Sequence, residues 1–227
     1  MIFSAALAPV LAVLFYIYIR DKYEKEPLIK ALTCFFTGGF IAFPIIAVER
    51  VFSFLSVFDE STAIGAFYTS FVVASFTEET FKLAALLFLV WRSKEFDERF
   101  DGIVYSVFIS IGFAGFENFS YVFNPVYGGL TTAVMRAVFS VPAHGLFGVV
   151  MGYYFANAKF NSENKSINKT VTFLIPFLYH GIYDFLLFID YTGSEIVFFL
   201  FVLFLWINGF VKIKKHISLS PFKLKQR

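Results

Sequence analysis

The stretch Thr77-Glu78-Glu79-Thr80-Phe81-Lys82 stands in the middle of an otherwise apolar run that extends over residues 64–90. A run of this length is long enough to cross the hydrocarbon core of a bilayer as a helix. Each charge at the centre of such a helix costs about 2.5–3.5 kcal/mol if nothing compensates it. Charged side chains in a span therefore usually face one another inside a helix bundle, where they mark a functional site.

The composition of the whole chain agrees with this interpretation. Hydrophobic residues make up 58% of the 227 residues, charged residues 16%, and 35 residues are phenylalanine, which excludes an ordinary soluble domain. The apolar runs are too long for the strands of a membrane β-barrel, and they lack the alternation of such strands. Cys34 is the only cysteine, so an intrachain disulfide and a cysteine-based metal cluster are excluded. The predicted fold class is an all-α, polytopic transmembrane helix bundle.

Apolar runs separated by polar segments and turns predict about seven spans. They cover residues 3–19, 28–48, 64–90, 103–123, 138–158, 171–189 and 196–211. The first is predicted to remain in the protein, because its basic residues follow the apolar run and those of a signal peptide precede it. A short apolar patch at 51–58 is expected to lie at the membrane interface. Glycines predict close packing of the second, fourth and fifth spans; they are Gly38, Gly39, Gly112, Gly115, Gly145, Gly148 and Gly152.

Basic residues near the span ends predict the orientation in the membrane. Three Lys or Arg residues follow each of the first, third and fifth spans, and six lie in the tail at 212–227. The other loops hold few, apart from Arg50 and Arg136. We therefore expect a multi-pass protein of a cell membrane, with its N-terminus outside and its C-terminus in the cytoplasm. A single membrane domain over 1–227 is predicted, with its core at about 20–187, a basic cytoplasmic tail and no nucleic-acid partner.

Ionisable side chains on four of the spans are predicted to meet in one layer of the bundle. Glu78 and Lys82 share a helical face in the favourable acid-before-base order. Glu79 is offset by about a hundred degrees, has no such local partner and is expected to point towards a neighbouring helix. The fourth, fifth and sixth spans contribute Glu117, Tyr121, His144, His180 and Asp184. Counted at about 1.5 Å per residue, the ionisable groups of these spans lie at the midplane or about 6 Å outside it.

Carboxylates and imidazoles in a low-dielectric site can activate water. A buried carboxylate can act as a general base, and the same ligand types can hold a divalent metal such as zinc. No serine motif of the nucleophile-elbow type occurs, and Cys34 has no base beside it in the sequence. Hydrolysis by activated water is therefore favoured over covalent acyl transfer. Whether a metal takes part stays open at this point.

Two other functions remain open from the residues alone. A proton-coupled transporter or ion pathway could use the same buried acids. The chain shows no duplicated half and no paired interrupted helices, which such transporters commonly have. A non-catalytic membrane scaffold is the other possibility, and it would leave the acids dispensable.

Three motifs in the chain resemble those of the PrsW family of intramembrane proteases. They are Glu-Glu-x-x-Lys at 78–82, Phe-Glu-x-x-x-Tyr at 116–121 and His-x-x-x-Asp at 180–184, in this order and on separate spans. The segment between the last two motifs is also similar to that family's, through Arg136, Ser140, Pro142 and His144. The ordered set is specific, whereas each motif alone is weak. The resemblance extends over about 20–187.

The resemblance implies a peptidase that cleaves a membrane-anchored anti-sigma factor on its outer side, so that a stress-response sigma factor is released after further steps. The site residues expected to be catalytic are Glu78, Glu79, Glu117, His144, His180 and Asp184, with Lys82 and Tyr121 in support. PrsW proteins are similar to the CAAX prenyl protease and Abi superfamily, in which Phe113-x-x-x-Glu117 would match a motif that has histidine in place of the glutamate. That difference leaves metal activation and glutamate–histidine activation of water as alternatives. Arg136 is expected to contact lipid head groups or the outer loop.

Overall fold

The computed structural model describes residues 1–59, 61–161 and 163–226, and within them the regular elements are all helical. The all-α fold class is confirmed. The α-helices are α1 (Ile2–Arg20), α2 (Leu28–Leu55), α3 (Ala63–Phe67), α4 (Phe76–Val90), α5 (Arg99–Val122), α6 (Leu130–Val138), α7 (Ser140–Phe160), α8 (Lys165–Phe188) and α9 (Ser194–Ser218). A π-helical segment, Tyr68–Ser75, joins α3 to α4, and a 3₁₀ helix, Pro221–Gln226, follows α9.

The long helices correspond to the predicted spans. Six stretches of the described chain are long and apolar enough to cross a membrane, with α6 and α7 counted as one stretch. The remaining predicted span is the unbroken helical segment formed by α3, the π-helical segment and α4, at 63–90. The hydroxyl of Ser75, at the end of the π-helical segment, donates to the Phe177 carbonyl oxygen of α8 at 2.6 Å. This bond fixes the start of α4 against α8.

Helix α5 is the centre of the bundle, and α2 and α7 pack directly against its backbone. A Cβ added at Gly112 of α5 would lie 1.9 Å from the carbonyl oxygen of Phe35, and one added at Gly38 would meet the α5 backbone at 2.0 Å. A Cβ at Gly152 of α7 would lie 2.2 Å from the carbonyl oxygen of Gly102. No other residue fits at these crossings, so the close packing predicted for these helices is confirmed.

Three segments differ from the predictions. Helix α2 continues to Leu55, so most of the patch at 51–58 is the end of this helix and is no separate interfacial segment. The charged pair Glu49-Arg50 does not end the helix, which continues into the apolar residues that follow. The short helix α6 was not predicted, and it begins after Gly129, whose φ of 111° only glycine adopts readily. Helix α9 extends through Ser218 into the predicted tail.

The end of the bundle that carries the basic loops contains a group of buried carboxyl groups. Asp21, Glu26 and Glu98 are 0%, 5% and 3% exposed. The Asp21 carboxylate accepts the backbone N–H of Glu26 at 2.8 Å, and the Tyr105 hydroxyl donates to the Glu26 side chain. Asp101 accepts the backbone N–H of Glu98 at 2.7 Å. Burial raises the pKa of Asp21 to about 6, and it raises the pKa values of Glu26 and Glu98 to about 7.

These raised pKa values predict that the fold loses stability as the pH rises. Unfolded carboxyl groups titrate near 4, so between about pH 4 and pH 7 the folded chain binds more protons than the unfolded chain, and the free energy of unfolding falls across that window. Each group is expected to contribute on the order of 1 kcal/mol, after allowance for solvent screening. Thermal unfolding in detergent micelles at pH 5, 6, 7 and 8 measures the loss. Glu26→Gln should flatten the profile, whereas Glu95→Gln, at an exposed position, should not. A stability independent of pH in this range would contradict the prediction.

Candidate active site

A cavity of about 550 Å³ lies among α2, the π-helical segment and α4 to α8. The predicted residues on its walls are Glu78, Glu117, Tyr121, His144, His180 and Asp184. Glu79 and Lys82 lie beside this wall with 0% exposure. The structure thus brings together the side chains that were predicted to converge, and their catalytic roles stay predictions.

The ammonium group of Lys82 lies at the centre of these side chains. Its Nζ donates to Glu78 Oε2 at 2.9 Å and to Glu79 Oε1 at 2.8 Å, and it is 3.3 Å from His144 Nδ1. The ring centroid of Phe113 is 4.5 Å away. An ammonium has three donors and no acceptor, so His144 Nδ1 accepts here and the proton of the neutral ring is assigned to Nε2. The prediction that Glu79 has no local partner is wrong, because its i,i+3 spacing brings it within reach of Lys82.

Helix α8 contributes an imidazole that is held from both sides. His180 Nδ1 is 3.0 Å from Glu79 Oε1, and its Nε2 is 3.2 Å from Asp184 Oδ2. The ring stacks on Phe147, with centroids 4.9 Å apart. Both ring nitrogens face carboxylates, so a protonated imidazole satisfies both contacts as a donor. The predicted direction of Glu79 towards a neighbouring helix is confirmed, as is the proximity of Asp184 to His180.

Glu117 connects α5 to α6 and α7. Its Oε2 is 3.1 Å from His144 Nε2 and accepts a hydrogen bond from Arg136 Nη2 at 2.7 Å. Arg136 also donates to Asn118 Oδ1 at 3.1 Å, and its guanidinium carbon is 4.2 Å from the ring centroid of Tyr121. Arg136 is therefore a buried part of the site, only 9% exposed. The prediction that it contacts lipid head groups is wrong, because α6 folds back over the cavity and carries this side chain inwards.

Glu49 was not predicted to belong to the site. It lies on α2, is half-buried and lines the cavity together with Glu78 and Glu117. No hydrogen bond or ion pair reaches its carboxylate from the residues that the structure describes. The predicted second span ended at residue 48, which put Glu49 just outside the membrane. The signal that could have identified it is an acid directly at the end of an apolar run.

The residues present fit a divalent metal. Glu78, Glu79, His144 and His180 each offer one ligand atom, and these atoms lie within 4.8 Å of one another. Glu79 Oε2 is buried and has no hydrogen-bond partner in the described part of the chain. With neutral histidines, the four carboxylates of Glu78, Glu79, Glu117 and Asp184 face the two cations of Lys82 and Arg136, and Glu49 adds a further carboxylate at the cavity wall. Carboxylates and imidazoles are typical ligands of zinc, although Lys82 already contacts three of the four residues.

A membrane helix bundle with carboxylates and imidazoles around an internal cavity has the groups that an intramembrane hydrolase needs to activate water. A family model described as PrsW family intramembrane metalloprotease matches residues 26–208. The curated protein "Protease PrsW" of Bacillus subtilis (strain 168) is 37% identical over 225 residues, which are 98% of this chain and 99% of that protein. The protein of the same name from Clostridioides difficile (strain 630) is 37% identical over 223 residues, 96% of this chain and 92% of that protein. No solved structure matches the chain.

The chain therefore belongs to the PrsW family of intramembrane metalloproteases. It is a peptidase and a multi-pass bacterial membrane protein, and it acts on membrane protein substrates. This membership favours the peptidase over the transporter and the scaffold that the residues alone left open.

The ion pair between Arg136 and Glu117 predicts a measurable energetic coupling. Arg136→Gln is expected to lower the free energy of unfolding by about 2 kcal/mol, because it leaves the half-buried Glu117 carboxylate without its cation. The double variant with Glu117→Gln should lose less than the sum of the two single variants. Chemical unfolding in mixed micelles measures all three. Arg50→Gln, at an exposed position of α2, is the control and should leave the stability unchanged. If the double variant loses as much stability as the two single variants together, the ion pair makes no energetic contribution to the fold.

Proposed function

We propose that the cavity is the active site at which this peptidase hydrolyses a peptide bond of a membrane-anchored protein. The proposed catalytic residues are Glu78, Glu79, Glu117, His144, His180 and Asp184, with Lys82 and Tyr121 in support. The observation that carries the proposal is the arrangement of adjacent carboxylates and two imidazoles around one cavity. An internal cavity gives water access to a polar site that is otherwise enclosed by apolar helices.

The position of the site along the helices supports cleavage near the outer boundary of the membrane. Glu117 is five residues from the end of α5, His144 is four from the start of α7, and Asp184 is four from the end of α8. These separations correspond to about 6–8 Å. The three helix ends are on the outer side in the predicted orientation, which stays a prediction. An anti-sigma factor with one span and an outer domain is the substrate that this position and the family resemblance favour.

Glu78 is the group proposed to take the proton from the attacking water. Its carboxylate lines the cavity, whereas Glu79 is completely enclosed. Lys82 donates a hydrogen bond to Glu78 Oε2 and so fixes the direction of this carboxylate. The Nδ1 atoms of His144 and His180 are each 3.9 Å from that oxygen. The charges of Lys82 and of a protonated His180 lie close to that oxygen and would stabilise the oxyanion, and Glu78 returns its proton to the leaving amine.

Glu79, His144 and His180 would hold a metal ion, because one glutamate and two histidines are the protein ligands of many catalytic zinc sites. A bound divalent metal supplies Lewis-acid polarisation of the carbonyl and of water. Glu78 then stays free to act as the base. Asp184 and Glu117 orient the two imidazoles from their far nitrogens, as second carboxylates do for metal-bound histidines.

The two adjacent glutamates are expected to differ in effect. Glu78→Gln should lower the cleavage rate by about 10³-fold, because it removes the base. Glu79→Gln replaces a charged candidate metal ligand by a neutral amide that still reaches His180 and Lys82, and it should lower the cleavage rate by about 10–100-fold. The assay co-expresses a tagged single-span substrate, follows its cleavage by immunoblot and locates the cut by mass spectrometry. Glu195→Gln, in the first turn of α9, is the control. A larger loss in Glu79→Gln would reverse the two roles, and a cut in the cytoplasmic half would contradict the proposed orientation.

Metal content tests the other part of the proposal. Purified wild-type protein in detergent is expected to contain about one zinc or other divalent ion per chain, a stoichiometry typical of a His₂Glu site. His180→Ala should lose the ion, whereas Glu78→Gln should keep it. Elemental analysis measures both without reference to activity, and a chelator should remove the ion and abolish cleavage. Metal-free wild-type protein that still cleaves would assign the chemistry to the glutamates and histidines alone.

A further inference from the structure

An apolar groove lies between α1 and α9, and α7 forms its floor. Its volume is about 330 Å³. Val13 and Tyr16 form one wall, Trp206 and Phe210 the other, and Gly145 belongs to the floor. The groove is distinct from the active site, although both involve α7. His144 faces the cavity and the adjacent Gly145 faces the groove.

A pair of aromatic rings lies near one end of the groove, which Ile17 and Ile213 complete, and two cations follow it. The ring centroids of Tyr16 and Phe210 are 6.3 Å apart, one from each wall. One helical turn further, α1 carries Arg20 and α9 carries Lys214, and both side chains are exposed. The Arg20 guanidinium carbon is 6.0 Å from the Tyr16 ring centroid. A long apolar slot with a positive charge on each wall at one end matches a molecule with an apolar chain and an anionic head.

We propose that this groove binds one acyl chain of an anionic glycerophospholipid, and that Arg20 and Lys214 hold the phosphate of its head group. The two cations lie at the end of the bundle that carries the basic loops, which is predicted to be cytoplasmic. Basic pockets between helices at this side of a membrane are suited to anionic lipid heads. The proposal concerns a site separate from the peptidase cavity and does not depend on the catalytic roles.

The length and the apolar lining of the groove suit an acyl chain. The α1 wall runs from Pro9 to Ile17, so the groove is about 12 Å long at 1.5 Å per residue. An extended hydrocarbon chain can lie along this length against the apolar side chains of the walls. The two cations at one end of the groove favour a lipid with an anionic head as the source of that chain.

Trp206 reports directly on the occupant of the groove. Trp91 is the other tryptophan of the chain, so Trp91→Phe leaves Trp206 as the only indole. This variant is reconstituted in phosphatidylcholine vesicles, and its fluorescence is titrated with brominated phosphatidylglycerol or with phosphatidylcholine brominated at the same chain position. We expect brominated phosphatidylglycerol to reach half-maximal quenching at a mole fraction at least five-fold lower. Equal quenching by the two lipids, or no quenching by either, would overturn the proposal.

Charge variants in the Trp91→Phe background show whether contacts to the head group produce the preference for phosphatidylglycerol over phosphatidylcholine. Arg20→Gln with Lys214→Gln should make the two lipids equal. The control pair is Lys22→Gln with Lys212→Gln, which removes the same amount of charge two residues from Arg20 and from Lys214. Lys212 lies over the rings of Tyr153 and Tyr154. This pair should keep the five-fold preference for phosphatidylglycerol. A preference that survives in the first pair, or disappears in both, would contradict the assignment.

A variant that fills the groove separates binding in the groove from binding near it. Ala12 lines the groove and is exposed, so Ala12→Phe places a ring in the space without disturbing the core. Quenching of Trp206 by brominated phosphatidylglycerol should then need a mole fraction several-fold higher. The thermal unfolding midpoint of each variant verifies that the bundle is intact. Undiminished quenching in a folded Ala12→Phe protein would place the lipid outside the groove.

Discussion

The burial of one ammonium group determines how the site is built. Lys82 has no exposed surface, and a charge in such a place is costly unless it is paired and fully hydrogen-bonded. Two of its three donors meet Glu78 and Glu79 one turn earlier on the same helix. The third needs an acceptor from elsewhere, and His144 of α7 provides it. The ammonium group of Lys82 therefore has all three hydrogen bonds only when α7 has packed into the bundle. The formation of the site thus depends on the packing of the bundle.

The docking that this requires depends on the glycines of the central helix. At Gly112 and Gly152 the backbones of neighbouring helices approach so closely that a single Cβ would overlap a carbonyl oxygen. Glu117 follows Gly112 by five residues on α5. The contact at Gly112 holds α2 against α5, whereas the close crossing at Gly148 and Gly152 sets the distance between α5 and α7, across which Glu117 reaches His144. Larger residues at the crossings would separate the helices by more than a hydrogen bond can span.

The sequence was sufficient to predict the class of fold, a bundle of several spans and the convergence of the acids and imidazoles. Those predictions rest on the length of apolar runs and on the cost of isolated charges in lipid, which are local properties. The place of Arg136 could not be predicted in this way, because it depends on the turn at Gly129 that folds α6 back over the cavity. Glu49 was missed for a similar reason, since α2 continues beyond the length that a bilayer requires. Errors occurred where the chain leaves the simple pattern of spans and loops.

The charges of the site do not balance within the protein, and this imbalance connects its structure to its chemistry. Even without Glu49, four carboxylates surround two cations, and the unpartnered oxygen of Glu79 lies in the enclosed part of the cluster. Low surrounding polarity makes two unbalanced negative charges unstable, so the site must acquire protons or a divalent cation. Protonation of His180, which lies between two carboxylates, would supply one charge, and a metal held by the same glutamate and the imidazoles would supply two. Lys82 contacts Glu78 as well as the groups that would hold the metal, and Glu78 is not needed as a metal ligand. The ammonium group can therefore keep the base oriented in either case. A metal held by His144 Nδ1 would replace the third hydrogen bond of Lys82, so the contacts on that side of the ammonium group depend on which cation completes the charge of the site.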